Sequence, residues 1–234
     1  GVTDEVRKVK DLYIDKCLTA TAVFLDPNLT LETPEWLWLS SGMRSVDHCV
    51  EAICSTTAHP YTDALACHAL QMLNRYLREC KSDPSNTMAR LQCQLASWLS
   101  VNGLANVTLG LSHGTGHQLG ARCNVPHGIT SCVMMHNTMR FNKDFALDRL
   151  SWIAQILEVK NSSMSDDQAA DAAADAVQRL TEDLDLPHRL RDVGVEKSDF
   201  RALAEDALQD LIVATNPRPV TSPEAVMELF EQAY

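Results

Sequence analysis

From Thr33 to the C-terminus, apolar residues recur at the three- and four-residue spacing of α-helices. A helix with this pattern buries one face and leaves the other to solvent, so such a chain folds by packing helix against helix. The residues "TPE" at the start of this region are typical of a helix N-terminus. Further along the chain, the segment "KSDPSN" interrupts the helical pattern. The sequence predicts an all-α domain of about eight helices. Their ranges are about 33–54, 61–80, 87–108, 128–141, 145–159, 163–184, 197–209 and 222–233.

One stretch predicts a β-strand instead. The residues "TAVFL" at 21–25 are apolar and are followed by the turn sequence "DPNLT", which is typical of a short buried strand. A strand needs a neighbour that pairs with its backbone groups, and the sequence predicts no second strand. We therefore expect the partner of this strand to lie outside the sequence.

The composition argues against several classes of protein. The net charge of −11 disfavours binding to nucleic acid or to an anionic membrane, because both attract basic surfaces. No apolar run is long enough to span a bilayer and no signal peptide is recognisable, so we expect a cytoplasmic protein. The eight cysteines are scattered without a CxxC pair, which predicts reduced, mostly buried thiols rather than disulfides.

The segment "GLSHGTGHQLGARCNVPHG", residues 110–128, combines three histidines with several glycines. In a helix, His113 and His117 lie one turn apart on one face, where imidazoles can ligate a divalent metal or, once protonated, bind an oxyanion. Each glycine costs a helix roughly 1 kcal/mol relative to alanine, which indicates that another helix or a ligand approaches closely. The alternative is a packing seam of small residues with ordinary core histidines.

A fourth histidine belongs to the first predicted helix, in the motif "SSGMRSVDHCVEA". His48 follows Arg44 by one helical turn, so the two side chains share a face, and Asp47 precedes His48 directly. We expect Asp47 to orient His48 or to pair with Arg44.

Four motifs in order, "GMRSVDHCVEA", "GLSHGTGHQLGARCNVPHG", "HNTMRFN" and "TNPRPVT", resemble the C-terminal half of iron-containing (group III) alcohol dehydrogenases. This superfamily includes the maleylacetate reductases and is related in fold to dehydroquinate synthase. The resemblance implies a dehydroquinate synthase-like helical catalytic domain at 33–234, preceded at 1–32 by the end of a nucleotide-binding α/β domain. It also implies NAD(P)H, bound mostly by a domain outside this sequence, and it is compatible with a homodimer.

The resemblance also implies roles for single residues. Iron-dependent members use one aspartate and three histidines. The histidine ligands match His48, His113 and His127, whereas His117 matches a histidine near the nicotinamide and the substrate. The aspartate position holds Arg44 in this sequence.

That arginine makes a metal doubtful. A divalent cation needs an anionic oxygen at this position, and a guanidinium on the same helical face repels it. Asp47 would have to turn around the helix to replace the missing aspartate. The sequence therefore predicts no iron or zinc in this site.

The maleylacetate reductases resemble the chain more closely, because they too lose the aspartate, share the "HCVEA" motif and work without a catalytic metal. Their dicarboxylate substrates suit Arg44, which can bind a carboxylate through two hydrogen bonds. We expect Arg44 to bind an anionic substrate and His117 to donate a proton. Arg122 is expected either to face the cleft and bind the substrate too, or to form a surface salt bridge. The remaining histidines are expected to stabilise developing negative charge: His48, His113 and His127.

The leading hypothesis is therefore the catalytic domain of an NAD(P)H-dependent oxidoreductase. It would reduce a carbonyl or an activated double bond of a small, carboxylate-bearing substrate. A second hypothesis is a stand-alone lyase, isomerase or cyclase that uses the same pocket without redox chemistry. Two others are a metal-dependent alcohol dehydrogenase and a non-catalytic remnant that binds a ligand or a partner subunit.

Overall fold

The computed structural model describes residues 2–4, 9–11 and 15–234. Its described part is helical apart from a hairpin of two short antiparallel strands, β1 (Val2–Asp4) and β2 (Val9–Asp11). The predicted all-α class is confirmed, and no described helix combines the length and apolarity needed to cross a membrane. The α-helices are α1 (Glu35–Cys54), α2 (Pro60–Ser82), α3 (Thr87–Leu104), α4 (Leu111–Cys123), α5 (His127–Phe141), α6 (Leu147–Ile156), α7 (Asp166–Asp183), α8 (Phe200–Ala207) and α9 (Pro223–Ala233).

The predicted strand at 21–25 is wrong. These residues form no regular element, and the side chains of Val23 and Phe24 are 58% and 91% exposed. A lone extended segment cannot satisfy its backbone groups or bury its side chains without a neighbouring strand. Among the described residues, the only strands are β1 and β2, and these pair with each other.

Helix α1 is the centre of the fold. It packs against α2, α3, α5 and α6, and its residues Met43, Val46 and Ile53 are fully buried. A helix surrounded on most sides places its polar residues inside the protein as well. The polar residues of α1 must therefore find partners on the neighbouring helices.

Glycines allow α4 and α5 to approach their neighbours closely, as the sequence predicts. A Cβ atom on Gly128 would lie 2.6 Å from the backbone carbonyl of Ser40 in α1. A Cβ atom on Gly116 in α4 would lie 2.8 Å from Oγ1 of Thr130 in α5. The glycine-rich motif therefore brings α1, α4 and α5 together around the polar face of α1.

The cysteines are free thiols in the structure, and Cys17 alone among them is exposed. This arrangement agrees with the expectation of reduced, mostly buried thiols. The five buried cysteines are Cys49, Cys54, Cys80, Cys93 and Cys132.

We predict that Gly128→Ala lowers the free energy of unfolding by about 1–3 kcal/mol, because the added methyl group meets the rigid backbone at Ser40. Gly120→Ala is the matched control, since its Cβ would meet only the carbonyl oxygen of Val125, at 3.6 Å. That variant is expected to gain up to about 1 kcal/mol in helix propensity. Chemical denaturation measures both changes, and equal effects would contradict the close approach.

Candidate active site

The site is built on a row of polar residues along α1. Arg44, Asp47, His48 and Glu51 follow one another at spacings of three or four residues, so they lie on one side of the helix. The arginine and the two carboxylates are buried, with exposures of 6%, 0% and 8%, whereas His48 is half-buried. Buried charges of this kind persist only when other groups pair with them.

Glu51 pairs with the N-terminus of α4. Its Oε2 accepts the backbone N–H of Gly110 at 2.8 Å, and its Oε1 accepts those of Ser112 at 2.8 Å and His113 at 3.4 Å. The first N–H groups of a helix have no partner within the helix, and a carboxylate there also meets the positive end of the dipole. Burial raises the pKa of Glu51, although these N–H donors favour the ionised form. The contact fixes the start of α4, and therefore His113, against α1.

Asp47 joins three helices through one oxygen atom. Its Oδ2 accepts hydrogen bonds from Ser131 Oγ in α5 at 2.6 Å, Ser112 Oγ in α4 at 2.9 Å and Arg44 Nη1 at 3.2 Å. The expected pairing of Asp47 with Arg44 is confirmed. The expectation that Asp47 would have to turn around the helix to replace the missing aspartate is not supported, because Asp47 lies with Glu51 and His113 in a cluster that could hold a metal ion.

His48 and His113 form one stacked pair, with ring centroids 5.3 Å apart and planes inclined by 28°. Burial, and then nearby positive groups, lower the pKa of His48 to about 2 and that of His113 to about 3. Both rings are therefore neutral at physiological pH. Nδ1 of His113 lies 2.8 Å from Oε2 of Glu51, yet neither of its ring nitrogens makes a well-formed hydrogen bond in the protein.

His117 and His127 form a second stacked pair, with centroids 6.3 Å apart and planes inclined by 10°. Nδ1 of His117 lies 2.8 Å from a carboxylate oxygen of Asp210, in the segment after α8. A carboxylate at this distance holds the ring proton on Nδ1 and fixes the orientation of the ring. Because His113 and His117 lie on consecutive turns of α4, the two pairs are neighbours.

The two arginines named from the sequence differ in position. Arg44 lies beside the first histidine pair: its Nη1 donates to Asp47 and to Ser131, while its buried Nε has no hydrogen-bond partner in the protein. Burial lowers the pKa of Arg44. Arg122 instead forms an ion pair with Asp206, and its side chain is 36% exposed. Its position agrees with a surface salt bridge rather than with the predicted contact to substrate.

Three buried residues could hold a metal ion. One ligand atom each from Asp47, Glu51 and His113 lies within 4.8 Å of the others. The donor types suit a divalent ion, and Asp47 Oδ1 and both His113 nitrogens have no hydrogen-bond partner. Only His113 belongs also to the ligand set that the resemblance implied. The expectation that Arg44 disfavours a metal is therefore not supported, although Arg44 does pair with Asp47.

The sequence interpretation did not include several residues of this network. Glu51 follows Arg44 by seven residues in the quoted motif, so helical spacing could have identified it. Asp210 gave no local signal, because it lies 93 residues after the histidine that it contacts. The other network residues that the sequence interpretation did not include are Ser112, Ser131 and Asn216. The side-chain oxygen of Asn216 accepts the backbone N–H of Leu111.

An all-helical bundle that buries imidazoles, carboxylates and a guanidinium in one cluster has the side-chain chemistry of an enzyme active site. The model of the C-terminal region of the Fe-containing alcohol dehydrogenase family matches residues 38–234. The chain belongs to this family.

Named relatives support this membership. The chain is 34% identical to the lactaldehyde reductase of Escherichia coli K12 and 34% identical to the 1,3-propanediol dehydrogenase of Citrobacter freundii. Both matches cover 100% of this chain and 60% of the relative, so the chain spans only part of the length of these proteins.

Solved structures give the same result for the fold. A 1,3-propanediol oxidoreductase superposes with a TM-score of 0.85 at 34% identity, over 89% of this chain and 55% of the other. A maleylacetate reductase from Rhizobium sp. strain MTP-10005 gives a TM-score of 0.78 at 25% identity, over the same shares. The expected closer likeness to maleylacetate reductases is therefore not supported, since the identity to the alcohol and aldehyde enzymes is higher.

We predict that Glu51→Gln lowers the free energy of unfolding by about 1–3 kcal/mol, because the amide nitrogen cannot accept a backbone N–H at the start of α4. Glu228→Gln makes the same chemical change on the exposed face of α9 and is expected to stay within about 0.5 kcal/mol of the wild type. Thermal and urea unfolding measure both variants. An equal stability of the two would contradict the capping role of Glu51.

Proposed function

We propose that this chain is the helical catalytic domain of a nicotinamide-dependent oxidoreductase. Its reaction would reduce a carbonyl group or an activated double bond in a small molecule that carries a negative charge. Family membership supports the reaction class, and the buried Arg44 beside the histidines supports the charge of the substrate. The chain covers 60% of its named relatives, so this activity is proposed for the complete protein.

Arg44 is the observation that carries the proposal. It is 6% exposed, and its Nε donor is buried without a partner, which costs free energy unless a ligand provides an acceptor. A carboxylate can accept from two guanidinium nitrogens at once. Asp47 and Ser131 meanwhile hold Nη1 in place, so the guanidinium is oriented before the substrate arrives.

His117 is the proposed proton donor. Asp210 accepts from Nδ1 and holds the ring in place, so Nε2 is the nitrogen that would deliver a proton to the substrate oxygen. His48 and His113 are neutral and lie next to Arg44 in the same network, where an N–H donor can hydrogen-bond to the negative oxygen as it develops. His117 would thus handle the proton, and the proposed stabilisation of the negative charge falls to His48, His113 and His127.

We propose that this chain meets only the reacting end of a nicotinamide cofactor. The sequence contains no glycine-rich loop of the kind that binds the phosphates of a dinucleotide. When bound, the cofactor supplies the hydride that reduces the substrate carbon. The expected homodimer and cytoplasmic location remain predictions.

A metal-dependent reaction is the second candidate, favoured by the cluster of Asp47, Glu51 and His113. These residues would hold a divalent ion, which would polarise the substrate oxygen as a Lewis acid. Metal analysis of the purified protein distinguishes the candidates. One equivalent of iron or zinc that is lost in Asp47→Asn, but not in Asp206→Asn, supports the metal-dependent reaction. Full activity after treatment with a chelator contradicts it.

We predict that the protein oxidises NADH or NADPH faster with succinic semialdehyde than with butanal, which has the same chain length but no carboxylate. Arg44→Gln is expected to lower kcat/KM for the semialdehyde about 10- to 200-fold, because a charge-assisted pair contributes about 1.5–3 kcal/mol. Activity toward butanal should stay within about threefold in that variant. Steady-state kinetics with both nucleotides and both aldehydes measure these values.

Arg122→Gln is the matched control, since it removes the same charge at the surface pair with Asp206. It is expected to change neither substrate's kcat/KM. Arg44→Lys keeps the positive charge and should lose less kcat/KM for the semialdehyde than Arg44→Gln does. This partial recovery would show that the loss comes from weaker substrate binding rather than from unfolding. Equal losses for both aldehydes in Arg44→Gln would contradict the substrate role of Arg44. Turnover of a substrate without nucleotide oxidation would favour the lyase, isomerase or cyclase hypothesis.

A further inference from the structure

A cavity lies away from the active site, between α5, α7, the C-terminal end of α9 and the segment 188–191. Its volume is about 490 Å³, and no aspartate or glutamate lines it. A cavity lining without acidic side chains is unusual in a chain with a net charge of −11. The basic residues that line the cavity are His136, Arg140, His188, Arg189 and Arg191.

The charges in this wall are only partly neutralised. Arg140 donates to Asp175 at 2.7 Å, and His188 lies 3.7 Å from a carboxylate oxygen of Glu182. Arg189 and Arg191 are exposed, and neither forms an ion pair with a residue in the described part of the chain. Two guanidinium groups of the cavity wall are therefore left without an acidic side chain as partner among the described residues.

His136 adds an unsatisfied hydrogen-bond donor. The residue is 4% exposed, and burial lowers its pKa to about 3, so the ring is neutral. Asn137 donates to Nε2 at 3.0 Å, which places the ring proton on Nδ1. That nitrogen is buried and has no hydrogen-bond partner. A buried N–H without an acceptor destabilises the protein unless a ligand supplies one.

We propose that this cavity binds a small molecule with at least two negative charges, carried by phosphoryl or carboxylate groups. The volume falls in the range of ordinary ligand pockets, about 300–1,000 Å³. Guanidinium groups bind both kinds of anion through paired hydrogen bonds. The site is separate from the active site, because His127 and His136 are nine residues apart on α5, about 13 Å along its axis.

Isothermal titration calorimetry with pyrophosphate and with citrate tests the proposal, against sodium chloride at equal ionic strength. The two anions distinguish a phosphoryl from a carboxylate ligand. We expect one of them to bind with one-to-one stoichiometry and to bind at least tenfold more weakly to the double variant Arg189→Gln/Arg191→Gln. His136→Phe, which removes the ring N–H at similar volume, should also weaken the binding.

Two control variants locate the binding. Arg179→Gln removes an exposed positive charge of α7 outside the cavity, and Arg44→Gln removes the arginine of the active site. Both are expected to bind the anion within twofold of the wild-type affinity. The proposal is overturned if neither anion binds, or if the double variant binds as tightly as the wild type. It is also overturned if Arg44→Gln alone abolishes binding, which would place the anion in the active site. None of these results depends on the proposed oxidoreductase activity.

Discussion

The contact between the Glu51 carboxylate and the N-terminus of α4 is the interaction on which the site depends. It satisfies backbone donors that no neighbouring residue of α4 could satisfy, and it does so from the middle of the central helix. Because α4 carries both His113 and His117, the position of each histidine pair follows from this one cap. The glycines of α4 and α5 then allow the helices to come close enough for Asp47 to reach both of them.

The site places one buried cation, Arg44, beside two buried carboxylates. Arg44 faces the carboxylates of Asp47 and Glu51, so the three charged side chains leave one negative charge in excess if both acids are ionised. Burial raises the pKa of both acids, while the adjacent imidazoles stay neutral. A site of this kind can accept either a cation between its carboxylates or an anion on its guanidinium, which is why two reaction candidates follow from the same residues.

Much of this arrangement could be predicted from the sequence, because helical periodicity and spacing are local properties. The predicted bounds of α1, α2 and α5 differ from the structure by at most two residues. Short-range geometry also brings Arg44, Asp47 and His48 onto one helix. What could not be predicted depends on distant pairing. The segment 21–25 has the composition of a strand but no neighbour in the described structure, and the partner of His117 comes from a segment with no motif of its own.

The segment between α8 and α9 holds α4 at two points. Asp210 contacts His117, and Asn216 accepts the N–H of Leu111 at the start of the same helix. This segment contains one short 3₁₀ turn, Val213–Thr215, and is held by turn hydrogen bonds rather than by an α-helix. Local loosening of such a segment requires less free energy than unfolding of the helical core. On heating, the contact of Asp210 with His117 would therefore loosen before the helices melt, and the orientation of that ring would be lost while the helical core is still folded.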